Sequence, residues 1–152
     1  MSTGNIFDSF SINSSGMTAQ RFRMDIISEN IANANTTRTE TGGVYTRKVV
    51  TFAEKNSQSQ FHKILNERLQ RYSGTGVKVS TVQNDRWTDY NMVYDPSHPD
   101  ADENGYVTYP NVNTITEMTN LIDASRAYEA NATAFTASKN IATRGLEAGG
   151  QS

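Results

Sequence analysis

The chain has 152 residues, 36% of them hydrophobic, and its 14 lysines and arginines against 16 aspartates and glutamates leave a formal charge of -2. The length suits one ordinary domain, the low apolar share argues against a large private core, and interspersed charges offer no basic stripe for nucleic acid or anionic lipid. With no cysteine, disulfides and thiolate metal sites are excluded. No stretch approaches the roughly 18 apolar residues of a membrane span. The start lacks the basic residues and apolar run of a secretory signal, so any route out of the cytoplasm is expected to avoid a cleaved signal of the common kind.

From Ile6 to Ile31 the apolar residues recur at helical spacing. Phe10, Met17, Met24 and Ile31 share one seven-residue line, and Ile6 and Ile27 lie on the adjoining one. That adjoining line also carries Asn13 and Gln20, which are costly in a dry core unless hydrogen-bonded but can set register in a multi-helix packing. Gly16 is a weak point in this helix. The pattern stops in Asn33-Ala34-Asn35-Thr36-Thr37, residues that bond to nearby backbone and end helices.

The middle of the chain reads as short strands, Val44 to Phe52, Val77 to Val82, Asn91 to Asp95 and Gly105 to Tyr109, separated by Gly, Pro, Asn and Ser. The polar stretch Glu54 to Gly76 interrupts them, and Phe61, Ile64, Leu65 and Leu69 within it suggest a short inserted helix. A second amphipathic helix is predicted from Asn113 to Leu146, with Leu121, Tyr128, Phe135 and Ala142 on one line and Ile115 and Ile122 on a neighbouring one. Six alanines between Ala124 and Ala137 combine high helix propensity with room for close approach. The fold class expected is α+β: terminal helices, 1–36 and 113–152, forming a coiled-coil-like module, with a small β-rich domain, 37–112, inserted between them.

A helix of about 25 residues is about 40 Å long, too long to lie wholly against so small a middle domain. Much of each helix is therefore expected to seek another partner and to depend on neighbouring subunits for its full order. An ordinary two-helix hairpin on a small sheet fits the same periodicity, which does not separate the two.

Little in the chain points to chemistry. Asp100 to Gly105 matches the opening of a calcium-binding loop, but its twelfth position is Asn111 where a bidentate Glu belongs, so a turn into the following strand is the better reading. His62 and His98 lack metal-binding company in the sequence, no nucleophile elbow occurs, and Glu54 and Glu67 have nothing apolar around them to raise a carboxyl pKa. Neither a catalytic residue nor a cofactor or metal ligand is assigned.

Ser15-Gly16-Met17-Thr18-Ala19-Gln20 and Asn30-Ile31-Ala32-Asn33-Ala34-Asn35-Thr36 resemble the N-terminal signature of the flagellar rod and hook axial proteins. Val93 to Asn113 looks like the hallmark of the proximal-rod branch of that family, and Glu117-Met118 and Ala124 to Asn131 continue the likeness, whereas Asn56 to Gly74 matches no family motif. The resemblance implies a structural axial subunit of the proximal rod, exported by the flagellar type III apparatus and assembled with copies of itself, other rod proteins, and membrane-ring and export-gate components. It implies no nucleic acid, small-molecule substrate or membrane insertion. The assembly residues expected are Phe10, Met17, Gln20, Met24, Ile27, Asn30, Ile31, Ala32 and Asn33 on the first helix and Met118, Leu121, Ile122, Tyr128, Asn131 and Phe135 on the second. For Asn33 a plain helix cap explains the residue equally well. Another rod or hook subunit, or a calcium-dependent binding module, are the alternatives.

Overall fold

The computed structural model describes residues 4–40, 42–55 and 75–150, and both long amphipathic segments are helical. The first, α1, spans Gly4–Ala32. It closes where the N–H and the side-chain Nδ2 of Asn33 both donate to the Glu29 carbonyl, at 3.1 and 2.9 Å. Thr36 then donates its N–H to the Asn33 carbonyl and its hydroxyl to Asn33 Oδ1, so part of the orphan polarity of a helix end is satisfied locally. The second, α2, spans Thr114–Gly149. It begins at an asparagine cap, with Asn113 Oδ1 accepting from the N–H groups of Ile115 and Thr116 at 3.0 and 3.1 Å.

Four strands form two small sheets: β1 (Lys48–Glu54) with β2 (Val77–Asn84), and β3 (Asn91–Tyr94) with β4 (Tyr106–Tyr109). Asp85 N–H donates to the Arg47 carbonyl at one end of the first pair and Lys55 N–H to the Gly76 carbonyl at the other, so β1 and β2 run antiparallel. β3 and β4 are also antiparallel, with Asn91 opposite Tyr109 and Tyr94 opposite Tyr106. The strand expected from Val44 begins only at Lys48, because the backbone before it is engaged elsewhere: Tyr45 N–H donates to the Thr36 carbonyl and Arg47 N–H to Asn111 Oδ1. The short helix expected around Phe61 to Leu69 lies outside the described residues.

Contacts group the chain into two compact units, and each takes part of both helices. The first comprises Met1–Arg21, Phe52–Ser80 and Ser125–Ser152. In it the Phe10 and Phe135 rings meet with centroids 5.1 Å apart, and Gly16 faces Asn131 so closely that a Cβ there would lie 2.7 Å from Asn131 Oδ1. The glycine that weakens α1 as a helix is thus what lets α2 approach it. Ser15 donates its hydroxyl to the Ile12 carbonyl at 2.7 Å and accepts from Val77 N–H at 3.0 Å, tying α1 to the start of β2.

The second unit comprises Phe22–Thr51 and Thr81–Ala124. Among the described residues five apolar side chains are buried, Ala19 in the first unit and Ile27, Tyr45, Val107 and Ala124 in the second. Four polar ones, Asn30, Asp85, Asn111 and Glu117, are buried with them, all in the second unit. So small an apolar core leaves much of that unit's specificity to its polar contacts.

Gly76 sits at φ +89° and a Cβ on it would collide with Ser15 Oγ. Gly76→Ala is expected to cost about 2–3 kcal/mol through left-handed strain and the displaced serine. A lowered urea midpoint with an unchanged m-value checks this; an unaltered midpoint contradicts it.

Candidate functional site

Glu117, placed in the first turn of α2 by the Asn113 cap, is 1% exposed. A carboxylate out of water costs several kcal/mol unless its oxygens are paired and hydrogen-bonded, and here four donors converge on it. Arg47 Nε and Nη2 donate to Oε1 at 3.0 and 2.8 Å, Asn120 Nδ2 donates to the same oxygen at 3.2 Å, and Asn30 Nδ2 donates to Oε2 at 3.0 Å. The forked guanidinium contact is the strong, directional member of the set.

Asn30 spends its whole hydrogen-bonding capacity inside the chain. Its Nδ2 also donates to the Lys48 carbonyl at 2.9 Å, and its Oδ1 accepts from Lys48 N–H and from the Tyr45 hydroxyl, each at 2.9 Å. Beside it, Lys48 Nζ pairs with Glu29. Burial, with the Glu29 and Glu117 charges nearby, pushes the Tyr45 phenol up to about 12.

Arg47 reaches a second carboxylate, Asp85, at 3.3 Å through Nη1. Burial acts to raise the Asp85 carboxyl, but donation from the Thr88 hydroxyl and N–H, the Trp87 N–H and Arg47 outweighs it and holds the group below its ordinary value. Burial likewise acts to lower Arg47, and its bonds and attraction to Glu117 and Asp85 outweigh that and raise it. Asn111 completes the cluster: Oδ1 accepts from Arg47 N–H at 2.8 Å, and Nδ2 donates to the carbonyls of Asp85 and Thr88 at 2.8 and 3.0 Å. The members face one another, an arrangement that clamps α1, the start of β1 and α2 in register.

The expected assembly residues fall into three groups. Phe10 and Phe135 touch each other, Asn131 lies against Gly16 while donating to the Ala127 carbonyl, Ile27 and Asn30 are buried, and Asn33 caps α1. Met17, Gln20, Met24, Ile31 and Leu121 are half-buried. Ala32, Met118, Ile122 and Tyr128 are exposed. Ile115 is 76% exposed and lines up with Met118 and Ile122 at i, i+3 and i+7, a continuous apolar row on one face of α2.

Within the chain the fully buried residues of α2 are Glu117 and Ala124, on the line that continues to Asn131 and Ser138 rather than on the line of Leu121, Tyr128, Phe135 and Ala142. Tyr45, Arg47, Asp85, Asn111 and Glu117 were not assigned a role by sequence reasoning. The nearest signal was Glu117-Met118 as a family motif, which marked the place but not the burial.

In the stretch resembling a calcium loop, the acids serve turns. Asp102 Oδ1 accepts from the N–H groups of Asn104 and Tyr106, Asp100 Oδ2 accepts from the Thr37 hydroxyl, and His98 Nδ1 accepts from Asp100 N–H. Among the described residues no group of three His, Asp or Glu side chains is arranged to hold a metal. His62 and Glu67 lie outside the described residues.

Removing Arg47 leaves Glu117 buried without its main partner, so Arg47→Met is expected to cost about 3–5 kcal/mol. Adding Glu117→Met should recover part of it in a double-mutant cycle by urea unfolding; simple additivity contradicts the coupling. Because the fold favours neutral Tyr45, its contribution is fully present below the unfolded pKa near 10 and is lost as pH rises towards about 12. Unfolding midpoints measured across that window should fall less steeply in Tyr45→Phe than in the unaltered chain.

Two family profiles match the chain: one described as flagella basal body rod protein, over residues 10–38, and one described as flagellar basal body rod FlgEFG protein C-terminal, over residues 103–147. The flagellar basal-body rod protein FlgC of Borreliella burgdorferi is 43% identical over 141 residues, which cover 90% of this chain and 92% of that protein. The Bacillus subtilis protein of the same name is 43% identical over 149 residues, 94% and 97% of the two chains, and the Salmonella typhimurium one 34% over 145 residues, 95% and 96%. With such identity along nearly the whole of both chains, this chain belongs to the flagellar basal-body rod protein family, in its FlgC branch.

Proposed function

We propose that this chain is a structural, non-catalytic axial subunit of the proximal rod of the bacterial flagellar basal body, part of the shaft that carries motor torque. Its partners in this reading are copies of itself, other rod proteins, and membrane-ring and export-gate components. It acts in the periplasmic part of the basal body after export through the flagellar apparatus. The observation that carries the reading is the exposed row of Ile115, Met118 and Ile122 on α2, in a chain related along its length to proteins named as rod subunits.

Covering that row with a neighbour is worth on the order of 1–2 kcal/mol per side chain. Repeated between subunits, it yields close-packed helices that deform little under load. The half-buried Met17, Met24 and Ile31 of α1, and Tyr128 of α2, extend the proposed assembly set. Asn30, already saturated within the chain, holds the fold that presents it.

Replacing Ile115, Met118 and Ile122 together by serine removes exposed apolar surface and is expected to leave the urea midpoint of the purified chain nearly unchanged. In a cell lacking its own FlgC, the unaltered chain should restore rods in electron cryotomograms and the triple variant should not. Normal rods with the triple variant would overturn this assignment of the row.

A further inference from the structure

β3 is the outer strand of its pair. All four of its residues are exposed, on both faces, whereas Val107, which sits opposite Val93 on β4, is fully buried. Among the described residues each sheet has two strands, so β3 and β2 each keep a free edge. Proteins that keep such an edge unpaired blunt it with lysine, proline or a bulge. Asn91-Met92-Val93-Tyr94 has neither charge nor proline, and the same is true of Thr81-Val82-Gln83-Asn84, the exposed end of β2.

The ladders fix which backbone groups point outward. Asp95 N–H donates to the carbonyl of Gly105, the residue opposite it in the β3–β4 register, so Asp95, Val93 and Asn91 turn their N–H and C=O groups towards β4 while Tyr94 and Met92 turn theirs away. On β2, Asp85 N–H donates to the Arg47 carbonyl and the Thr81 hydroxyl meets that of Thr51 at 2.6 Å, so Asp85, Gln83 and Thr81 turn towards β1 and Asn84 and Val82 away. On each edge the outward groups thus belong to alternate residues. Set antiparallel, Val82 against Tyr94 and Asn84 against Met92, the two edges exchange N–H···O bonds at both positions. The same register puts a β-branched side chain beside an aromatic one, a favourable cross-strand pair.

Within one chain the two edges belong to different sheets. The connection between them is tied down, with Asn111 Nδ2 donating to the Asp85 and Thr88 carbonyls and Asp85 Oδ1 accepting from the N–H groups of Trp87 and Thr88. Pairing of these edges is therefore left to another chain.

We propose that the β2 edge of one copy of this chain adds as an antiparallel strand to the β3 edge of the next copy, Val82 opposite Tyr94 and Asn84 opposite Met92. The occupant is a second copy because one chain carries both edges, matched in exposure, in lack of charge and in the alternation of outward groups. The edges differ from each other, so the contact is head-to-tail and runs on from copy to copy instead of closing as a two-fold dimer. The inference rests on the rod-subunit reading and adds a contact made by main-chain hydrogen bonds to the apolar row of α2.

The test begins with proline. Met92→Pro removes an outward N–H and no bond to β4, whereas Val93→Pro removes a ladder bond. The urea midpoint of the purified chain should fall markedly in Val93→Pro and little in Met92→Pro. In a cell lacking its own FlgC, Met92→Pro should give at least tenfold fewer basal bodies with rods than the unaltered chain. Because the chain has no cysteine, cross-linking reads the contact directly. Val82→Cys and Tyr94→Cys chains expressed together in that cell and treated with a mild oxidant should give a covalent dimer, since directly opposite residues lie within disulfide range. Either variant expressed alone should stay monomeric on a non-reducing gel. A midpoint as low in Met92→Pro as in Val93→Pro overturns the proposal, as does full rod assembly by Met92→Pro. Failure of the mixed dimer to form overturns it as well, and a dimer from one cysteine variant alone overturns the head-to-tail pairing. If the unaltered chain itself restores no rods, the rod reading fails and this inference with it; if the unaltered chain and Met92→Pro restore them equally, only the inference fails.

Discussion

The second unit depends on keeping one carboxylate out of water. Glu117 is nearly inaccessible and is tolerated only because Arg47, Asn30 and Asn120 meet its oxygens. Each of those donors is fixed by a further bond or by its position in a regular element. Arg47 is held by Asp85, Asn30 by Tyr45 and the Lys48 backbone, and Asn120 by its place one turn along α2. Such a network contributes modestly to net stability, since desolvation offsets much of the attraction, but a shift of any element by one residue strands a buried charge. Its main effect is to define a single register for the segments that meet there.

That economy suits the proposed role, in which part of the apolar surface is covered by neighbouring subunits. A chain that buries few large apolar side chains on its own account can leave Ile115, Met118 and Ile122 at the surface of a long helix without loss of register. In the first unit the device differs: the bare backbone of Gly16 lies against the Asn131 side chain and that of Gly76 against Ser15, whose hydroxyl accepts from Val77 N–H. Close approach there comes from removing side chains, whereas in the second unit order comes from satisfying polar ones.

Much of the architecture was legible in the chain. Heptad spacing placed both helices, runs of β-branched and aromatic residues placed the strands within a few residues, and Asn33 was recognised as a possible cap. Phe10 and Phe135, chosen from separate periodic lines, do meet. Periodicity does not tell which line of α2 is buried within the chain, because it counts large apolar residues, whereas the buried positions belong to Glu117 and Ala124, a compensated charge and a small side chain.

The sequence by itself determined the classes of element, their order, the lack of disulfide chemistry and the family, since these follow from local spacing, composition and contiguous motifs. Only the tertiary structure decided that Asn30 is spent inside the chain, that Gly16 is a contact, and that Gln20 and Thr75 are left unsatisfied. These facts concern pairs of residues tens of positions apart, and whether a polar atom is satisfied depends on which distant donor arrives within about 3 Å of it. No periodicity within a single segment carries that information.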